Sequence, residues 1–182
     1  LRAGLFGGVL LALEPPLTGF RAQLIRGLEE GLSLRKRTLF LPEAYGNYTR
    51  RATLYLSSAL SGGSLRQRLE RAADTYGAHR LVLCLHRARD DFFLPSVKGR
   101  GRPISQEKLE QLLRRMHPSV FFSQDLCAHY FTYMSRETGA HFVLFDDAES
   151  LVKKRAIAQE AGITRFFLLY PEVADFLPAL TA

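Results

Sequence analysis

Short apolar runs alternate with amphipathic stretches along most of this chain. Residues 9–13 form a continuous apolar run between a glycine pair and a proline pair, a pattern typical of a strand buried on both faces. Similar runs predict four more strands, at residues 38–41, 53–56, 81–85 and 166–170. Because helical patterns separate most of these runs, the sequence predicts parallel strands joined by right-handed crossovers, which is an α/β fold.

Helices are indicated by apolar residues at spacings of three and four. The first helix is expected to face the sheet through Leu17, Phe20, Leu24 and Leu28. A second begins at a capping box formed by Ser64 and Gln67 and ends at Gly77. Another begins at Asp146 and Asp147 and is expected to turn Ala148, Leu151, Val152 and Ala156 inward.

A long excursion interrupts the alternation, and we expect an insertion over about residues 87–145 within a single domain spanning residues 1–182. Ser105 is expected to cap a short helix there. Residues 130–133 and 141–145 alternate around a glycine-containing turn and predict a hairpin.

Composition excludes several classes of protein. The chain has 182 residues, of which 47% are hydrophobic and 24% charged, which suits one sizeable core. No apolar run approaches the roughly 18 residues of a membrane span. The net charge of +7 accompanies no nucleic-acid recognition motif, so no nucleic-acid partner is expected. Neither a metal nor a cofactor is predicted. Cys127 and His129, together with His141, are a weak metal signal because no second pair of ligands accompanies them.

The strand count favours part of a barrel. A complete (β/α)8 TIM barrel needs eight strands and typically about 250 residues, whereas five parallel strands are visible here. No glycine-rich phosphate loop follows any strand, which argues against a nucleotide-binding sheet. The sequence therefore predicts the C-terminal five or so βα units of a barrel. Because the chain opens with Leu1 and shows no signal peptide, we expect it to be processed or cut down. A partial barrel leaves its edge strands unpaired, so we expect either upstream units of the same chain or a homo-oligomer to cover the open edge.

Five segments have a shared order and spacing that match a known family, and they are residues 81–95, 103–105, 130–133, 141–150 and 161–170. They resemble glycoside hydrolase family 18, above all its spore-germination and cell-wall branch. The first resembles the seventh barrel strand and its loop, and the last is similar to the closing strand. The resemblance implies a TIM-barrel fold and an N-acetylated polysaccharide, such as chitin or peptidoglycan, as partner.

The family's catalytic motif, with three aspartates and a glutamate on the fourth strand, is degenerate here. Residues 7–14 match it best, and Glu14 stands where the resemblance places the catalytic acid. Leu10 and Ala12 occupy the two inward positions of the aspartates, which would orient the acetamido group of the substrate. The resemblance therefore implies loss of family-type hydrolysis.

Other candidate residues follow the ends of predicted strands. Glu43 and Tyr45 come directly after the second strand, and Glu43 paired with Glu14 would supply two carboxyls for a different glycosidase mechanism. Ser58 stands where the resemblance expects a tyrosine that contacts the acetamide. Asp91 matches a family aspartate, and Tyr170 lies near the position of a missing tryptophan platform.

The leading interpretation is a degenerate relative of the family that binds carbohydrate or cell envelope without hydrolysing it. One alternative is an active glycosidase that uses Glu14 as acid, and another is a protein-interaction or structural module. Whether the chain is an enzyme stays open at this point. A cell-envelope or spore location follows only from the resemblance.

Overall fold

The computed structural model describes residues 6–13, 18–94 and 101–181. Its first sheet has five parallel strands in the order β1-β2-β3-β4-β10. These are β1 (Gly8–Leu10), β2 (Thr38–Pro42), β3 (Thr53–Ser57), β4 (Leu81–Leu85) and β10 (Phe166–Leu168). The predicted α/β fold with a partial barrel is thereby confirmed.

The parallel sheet is curved into a half-barrel. Phe40 on β2 and Phe167 on β10 have ring centroids 5.1 Å apart, although two strands separate them in the sheet. Their registers place Leu10 and Tyr55 on the same side, and the Tyr55 hydroxyl donates to the Leu11 carbonyl at 3.0 Å. We call this side the concave face.

The convex face of the half-barrel holds the main core. Leucines from β2, β3 and β4, including Leu41, Leu54 and Leu83, are fully buried there. The helices that pack over these leucines include α1 (Gly19–Leu34), α2 (Leu65–Tyr76) and α4 (Ala148–Glu160). Two short helices, α5 (Tyr170–Val173) and α6 (Leu177–Thr181), follow β10. Burying one side of each strand under helices is the usual packing of a barrel wall.

A second, antiparallel sheet lies in the chain between β4 and α4. Its order is β6-β5-β9-β8-β7. The strands are β5 (Arg89–Phe93), β6 (Arg102–Pro103), β7 (Phe121–Ser123), β8 (Ala128–Ser135) and β9 (Gly139–Phe145). Helix α3 (Gln106–Met116) packs Leu109 and Leu112 on one face. The predicted hairpin is formed by β8 and β9. Strand β5 was not predicted, because the adjacent acids Asp90 and Asp91 are more typical of a loop.

The helix caps form as expected. Ser64 accepts from the Gln67 N–H, Ser105 from the Lys108 N–H, and Asp147 from the Ser150 N–H. Gly77 ends α2 with φ of 82°, a left-handed backbone conformation that favours glycine. Local chemistry therefore sets these helix ends.

The first strand differs from its prediction. It covers Gly8–Leu10 rather than residues 9–13, and Val9 and Leu10 are 36% and 49% exposed. The reason is its place at the edge of the sheet, where β2 is its neighbour on one side and no described strand lies on the other. Gly8 is needed there, since a Cβ would lie 2.3 Å from the Thr38 carbonyl oxygen.

Two predicted helix faces were wrong in part, and one predicted strand end was wrong. In α1, Leu28 packs against the main core as predicted, whereas Phe20 and Leu24 are exposed and Ile25 is the buried residue. Leu17 lies outside the described residues. In α4, Leu151 is buried as predicted, whereas Ala156 is exposed and Lys154 points inward. The last strand ends at Leu168, and Tyr170 begins a helix.

A buried ion pair joins α4 to both sheets. Lys154 Nζ lies 2.7 Å from Asp146 Oδ1 and 2.8 Å from Oδ2, and the two residues are 1% and 2% exposed. Ser150 donates its hydroxyl to Asp146 Oδ1 at 2.9 Å. The Ala88 N–H donates to Asp146 Oδ2 at 2.9 Å, and the Asp146 N–H donates to the Ala88 carbonyl at 2.8 Å. The carboxylate is therefore well satisfied in the interior.

We expect Lys154→Ala to destabilise the fold by about 3–5 kcal/mol, because it leaves the Asp146 carboxylate buried without its cation. The matched control is Lys153→Ala, which removes a solvent-exposed pair with Glu149 at 2.7 Å and should lower stability far less than Lys154→Ala. Urea unfolding of both variants measures the difference. Equal losses of stability would contradict the role assigned to the buried pair.

Candidate functional site

A cavity of about 330 Å³ opens where β3 and β4 end, and we call it the mouth cavity. Active sites of (β/α)8 barrels lie at this end of the strands. The lining combines strand ends, the segment that enters β5 and one residue of α5. Its members are Ser57, Ala59, His86, Arg87, Ala88, Arg89, Asp90, Pro103, Ile104 and Glu172.

Ser58 positions the segment that carries His86. It is fully buried, its N–H donates to the Cys84 carbonyl at 2.9 Å, and its hydroxyl accepts from the His86 N–H at 3.1 Å. The ends of β3 and β4 are thereby joined just below the cavity. Ser57 and His86, the flanking residues on the two strands, line the cavity instead.

The opposite wall is tied to the buried ion pair. Ala88 lines the cavity, and its N–H and carbonyl are both bonded to Asp146. Lys154 and Ser150 of α4 bond to Asp146 in turn. The backbone of Ala88, between His86 and Asp90, is therefore anchored by contacts made in the core.

Arg87 binds the C-terminal segment that contains α5. Its Nη1 donates to Asp175 at 3.0 Å and to the Glu172 carbonyl at 3.3 Å, and its Nη2 donates to Gln106 at 3.2 Å. The guanidinium carbon also lies 4.0 Å from the centroid of the Phe176 ring. These contacts make Arg87 part of the wall.

Asp90 is the acidic group that sequence reasoning missed. Burial raises the pKa of its carboxyl, nearby Asp146 raises it further, and Arg89 offsets part of the effect. It lies in β5, where neighbouring side chains point to opposite faces, so Asp90 and Asp91 serve different environments. Recognising residues 89–93 as a strand would have separated the two.

Asp91 lies on the other face of β5. Its Oδ2 accepts from the Tyr133 hydroxyl at 2.9 Å, and its Oδ1 lies 2.9 Å from His141 Nδ1. The burial of the Tyr133 hydroxyl, together with this carboxylate, raises the pKa of that tyrosine to about 12. Asp91 is not among the residues of the mouth cavity.

Glu43 and Tyr45 follow β2 in a 3₁₀ turn over Glu43–Tyr48. Glu43 Oε2 accepts from Arg68 Nη2 of α2 at 3.2 Å, and Glu43 lines a hollow beside that helix rather than the mouth cavity. Tyr45 is 1% exposed and belongs to the main core. The structure therefore does not bring these two residues together with His86 and Asp90.

Two predicted site residues remain, Tyr170 after the last strand and Glu14. Tyr170 is 65% exposed at the start of α5, two residues before Glu172 of the cavity lining. Glu14 lies outside the described residues. Direct contact with ligand by Glu14, Glu43, Tyr45, Ser58, Asp91 or Tyr170 stays a prediction.

The described residues offer neither a cluster of metal ligands nor a cysteine whose thiol pKa is lowered. Within the described ranges, no group of three or more potential metal-ligating side chains occurs. Burial raises the pKa of the Cys84 thiol to about 11, which disfavours the nucleophilic thiolate. In the same part of the chain, no helix has the length and apolar character required to cross a bilayer.

Comparison with known proteins places this fold among chitinases and spore cortex-lytic enzymes. No protein-family model and no curated protein matches the sequence. The spore cortex-lytic enzyme SleL of Bacillus megaterium QM B1551 superimposes with a TM-score of 0.62 and 15% identity, covering 81% of this chain and 41% of that one. A chitinase from Chromobacterium violaceum ATCC 12472 gives a TM-score of 0.68 and 15% identity, covering 88% and 60%.

A class V chitinase variant from Nicotiana tobaccum, in complex with NAG4, gives a TM-score of 0.62 and 11% identity, covering 97% of this chain and 69% of that one. The chain thus spans between 41% and 69% of the length of these three structures. The expected fold resemblance to the chitinase family is confirmed.

The raised pKa of Asp90 predicts a pH-dependent stability difference. A carboxyl whose pKa is higher in the folded than in the unfolded state costs stability once it ionises, so the cost appears as pH rises through the folded pKa. Asp90→Asn should therefore raise Tm at pH 7, by no more than roughly 2–4 °C because the group is only half-buried, and have little effect at pH 3. Asp74→Asn, on the exposed side of α2, is the control. A benefit that is equal at both pH values would contradict this electrostatic account.

Proposed function

We propose that this chain is a glycan-binding domain of chitinase fold that does not perform the family's acid-catalysed hydrolysis. One observation carries the proposal. A polar cavity is retained at the barrel mouth, while Leu10 at the end of β1 and Ala12 just after it stand where the resemblance expects aspartates. The fold neighbours support a carbohydrate ligand, since one of them is described in complex with NAG4.

The chemistry of the mouth cavity suits a sugar. Ser57, His86 and Asp90 provide hydroxyl, imidazole and carboxyl groups, which donate to and accept from sugar hydroxyls and an acetamido group. Tyr170 adds a largely exposed aromatic ring beside α5, and such a ring packs well against the apolar face of a pyranose. A cavity of about 330 Å³ matches one or two sugar units within a longer chain.

Loss of hydrolysis is proposed from the side chains at the acid positions. Leu10 is paired with Phe40 in the sheet register and shares its concave side, so an apolar group stands where a carboxylate would orient the acetamido nucleophile. Glu43 is already paired with Arg68 and lines a different hollow, which supports the view that it does not act with Glu14. The ligand class that follows is an N-acetylated polysaccharide of the cell envelope or spore.

Binding is tested with an N-acetylglucosamine tetramer by isothermal titration calorimetry. Asp90→Ala and His86→Ala should each weaken binding about tenfold, corresponding to the loss of about 1.4 kcal/mol from one charged or polar hydrogen bond. The matched control is Asp74→Ala, at an exposed site on α2, which should leave the affinity unchanged. If no chitin or peptidoglycan fragment binds, the alternative of a protein-interaction module replaces this proposal.

Hydrolysis is tested by incubating the protein with chitin oligomers and with peptidoglycan. We expect no chain cleavage, because the carboxylates that assist the acid are replaced by Leu10 and Ala12. Release of shortened oligomers by the wild type, abolished by Glu14→Gln, would overturn the proposed loss of activity and favour the glycosidase alternative.

We also propose that the free edge of β1 is covered in the assembled protein. Val9 and Leu10 are exposed along that edge, and Phe20 and Leu24 of α1 are also exposed. An unpaired edge with apolar side chains favours association, either with further βα units of the same polypeptide or with a second copy. Light scattering on the present 182 residues should show species larger than 20.5 kDa. A stable monomer of that mass would argue against this pairing.

A further inference from the structure

Three side chains of the antiparallel sheet form a continuous hydrogen-bonded series. Thr138 Oγ1 lies 2.7 Å from His141 Nε2, and His141 Nδ1 lies 2.9 Å from Asp91 Oδ1. The Tyr133 hydroxyl occupies the other carboxylate oxygen of Asp91 at 2.9 Å. A carboxylate only accepts hydrogen bonds, so His141 Nδ1 must be the donor to Asp91. The neutral imidazole therefore carries its proton on Nδ1, and its Nε2 accepts a hydrogen bond from the Thr138 hydroxyl. A hydroxyl bonded to an imidazole that is itself bonded to a carboxylate is the arrangement that activates a hydroxyl as a nucleophile.

The imidazole is held rigidly between aromatic rings. The Tyr133 ring stacks on it with centroids 4.5 Å apart and an interplanar angle of 16°, and Phe93 meets it edge-on at 5.7 Å. His141 itself is only 9% exposed. Because Tyr133 stays protonated with its raised pKa, its hydroxyl remains a donor and keeps the Asp91 carboxylate oriented.

The series opens into a second cavity, separate from the mouth cavity. It has a volume of about 320 Å³ and is lined by Asp91, Phe93, Arg102, Thr138 and His141. Phe93 is 53% exposed and offers an apolar wall, while Arg102 supplies a cation. A cavity of this size and composition suits a small acyl group with a polar oxygen.

We propose that Thr138, His141 and Asp91 form an esterase site for short-chain carboxylic esters. Thr138 Oγ1 attacks the ester carbonyl carbon while His141 Nε2 takes the hydroxyl proton, and Arg102 is the cation available to the resulting oxyanion. Collapse of the tetrahedral intermediate breaks the bond to the alkoxide, which leaves as the alcohol with that proton. Water then attacks acyl-Thr138, giving its proton to His141, and the carboxylic acid departs as Thr138 regains a proton. Asp91 keeps the imidazole in the required tautomer.

The proposal is independent of glycan binding. Asp91 and Asp90 lie on opposite faces of β5, and the two cavities share no lining residue. An ester linked to any alcohol that reaches the second cavity is a substrate of the proposed class. Failure of either proposal therefore leaves the other intact.

The activity test uses p-nitrophenyl acetate and the whole chain. Wild type should release p-nitrophenol well above the buffer rate, and Thr138→Val should reduce kcat/KM at least about 100-fold, the effect expected when nucleophile and base are uncoupled. Thr138→Ser should retain turnover, since it keeps the hydroxyl. The matched control is Thr132→Val, an exposed threonine on β8 of the same hairpin, which should hydrolyse like wild type.

Covalent trapping separates a nucleophile from a structural threonine. A fluorophosphonate probe should label the tryptic peptide of residues 137–153, and fragmentation should assign the adduct to Thr138 rather than Ser150. Thr138→Val should not be labelled, while its circular dichroism spectrum stays that of wild type because the side chain is exposed in a turn. Equal ester hydrolysis by wild type and Thr138→Val, an adduct at another residue, or a folded wild type with neither turnover nor label would overturn the proposal.

Discussion

The ion pair between Asp146 and Lys154 is the interaction on which the arrangement of both sheets depends. Asp146 directly follows the antiparallel strand β9, and Lys154 lies on the helix that packs against the half-barrel. The same carboxylate receives the Ala88 N–H at the point where the chain leaves β4 and enters β5. A buried charge of this kind costs desolvation energy and is retained only where several partners satisfy it. Here those partners belong to two segments, helix α4 and the connection between β4 and β5, so one carboxylate sets how these segments meet.

The consequence for function is that β5 begins from a fixed point. Once Ala88 is held, the alternation along a strand sends Asp90 to the mouth cavity and Asp91 to the cavity beside the hairpin. Two adjacent acids of the same type thus have different neighbours and different chemistry. Asp90 is affected mainly by burial and by another acid, whereas Asp91 is fully engaged by a tyrosine and a histidine.

The half-barrel shape explains why its concave side differs from an ordinary barrel interior. In a closed barrel, inward residues of alternate strands fill the centre in layers. Here Phe40 and Phe167 reach each other across the curve, and Tyr55 donates to the backbone beside β1. The convex side, by contrast, holds the main core under helices. The fold is therefore stabilised mainly from its outer face, whereas Val9 and Leu10 at the β1 edge are exposed.

Features that depend on near neighbours in the chain could be predicted from the sequence pattern. Parallel strands at residues 38–41, 53–56 and 81–85 follow from continuous apolar runs, and the caps at Ser64, Ser105 and Asp147 follow from side chains that bond the backbone three residues on. The barrel resemblance followed from the order of these segments. Tertiary structure alone decided the burial of Lys154 and the exposure of Val9, because each depends on what lies across space. The same holds for Asp91, whose partner His141 is 50 residues away, since sequence pattern carries no information about a contact of that span.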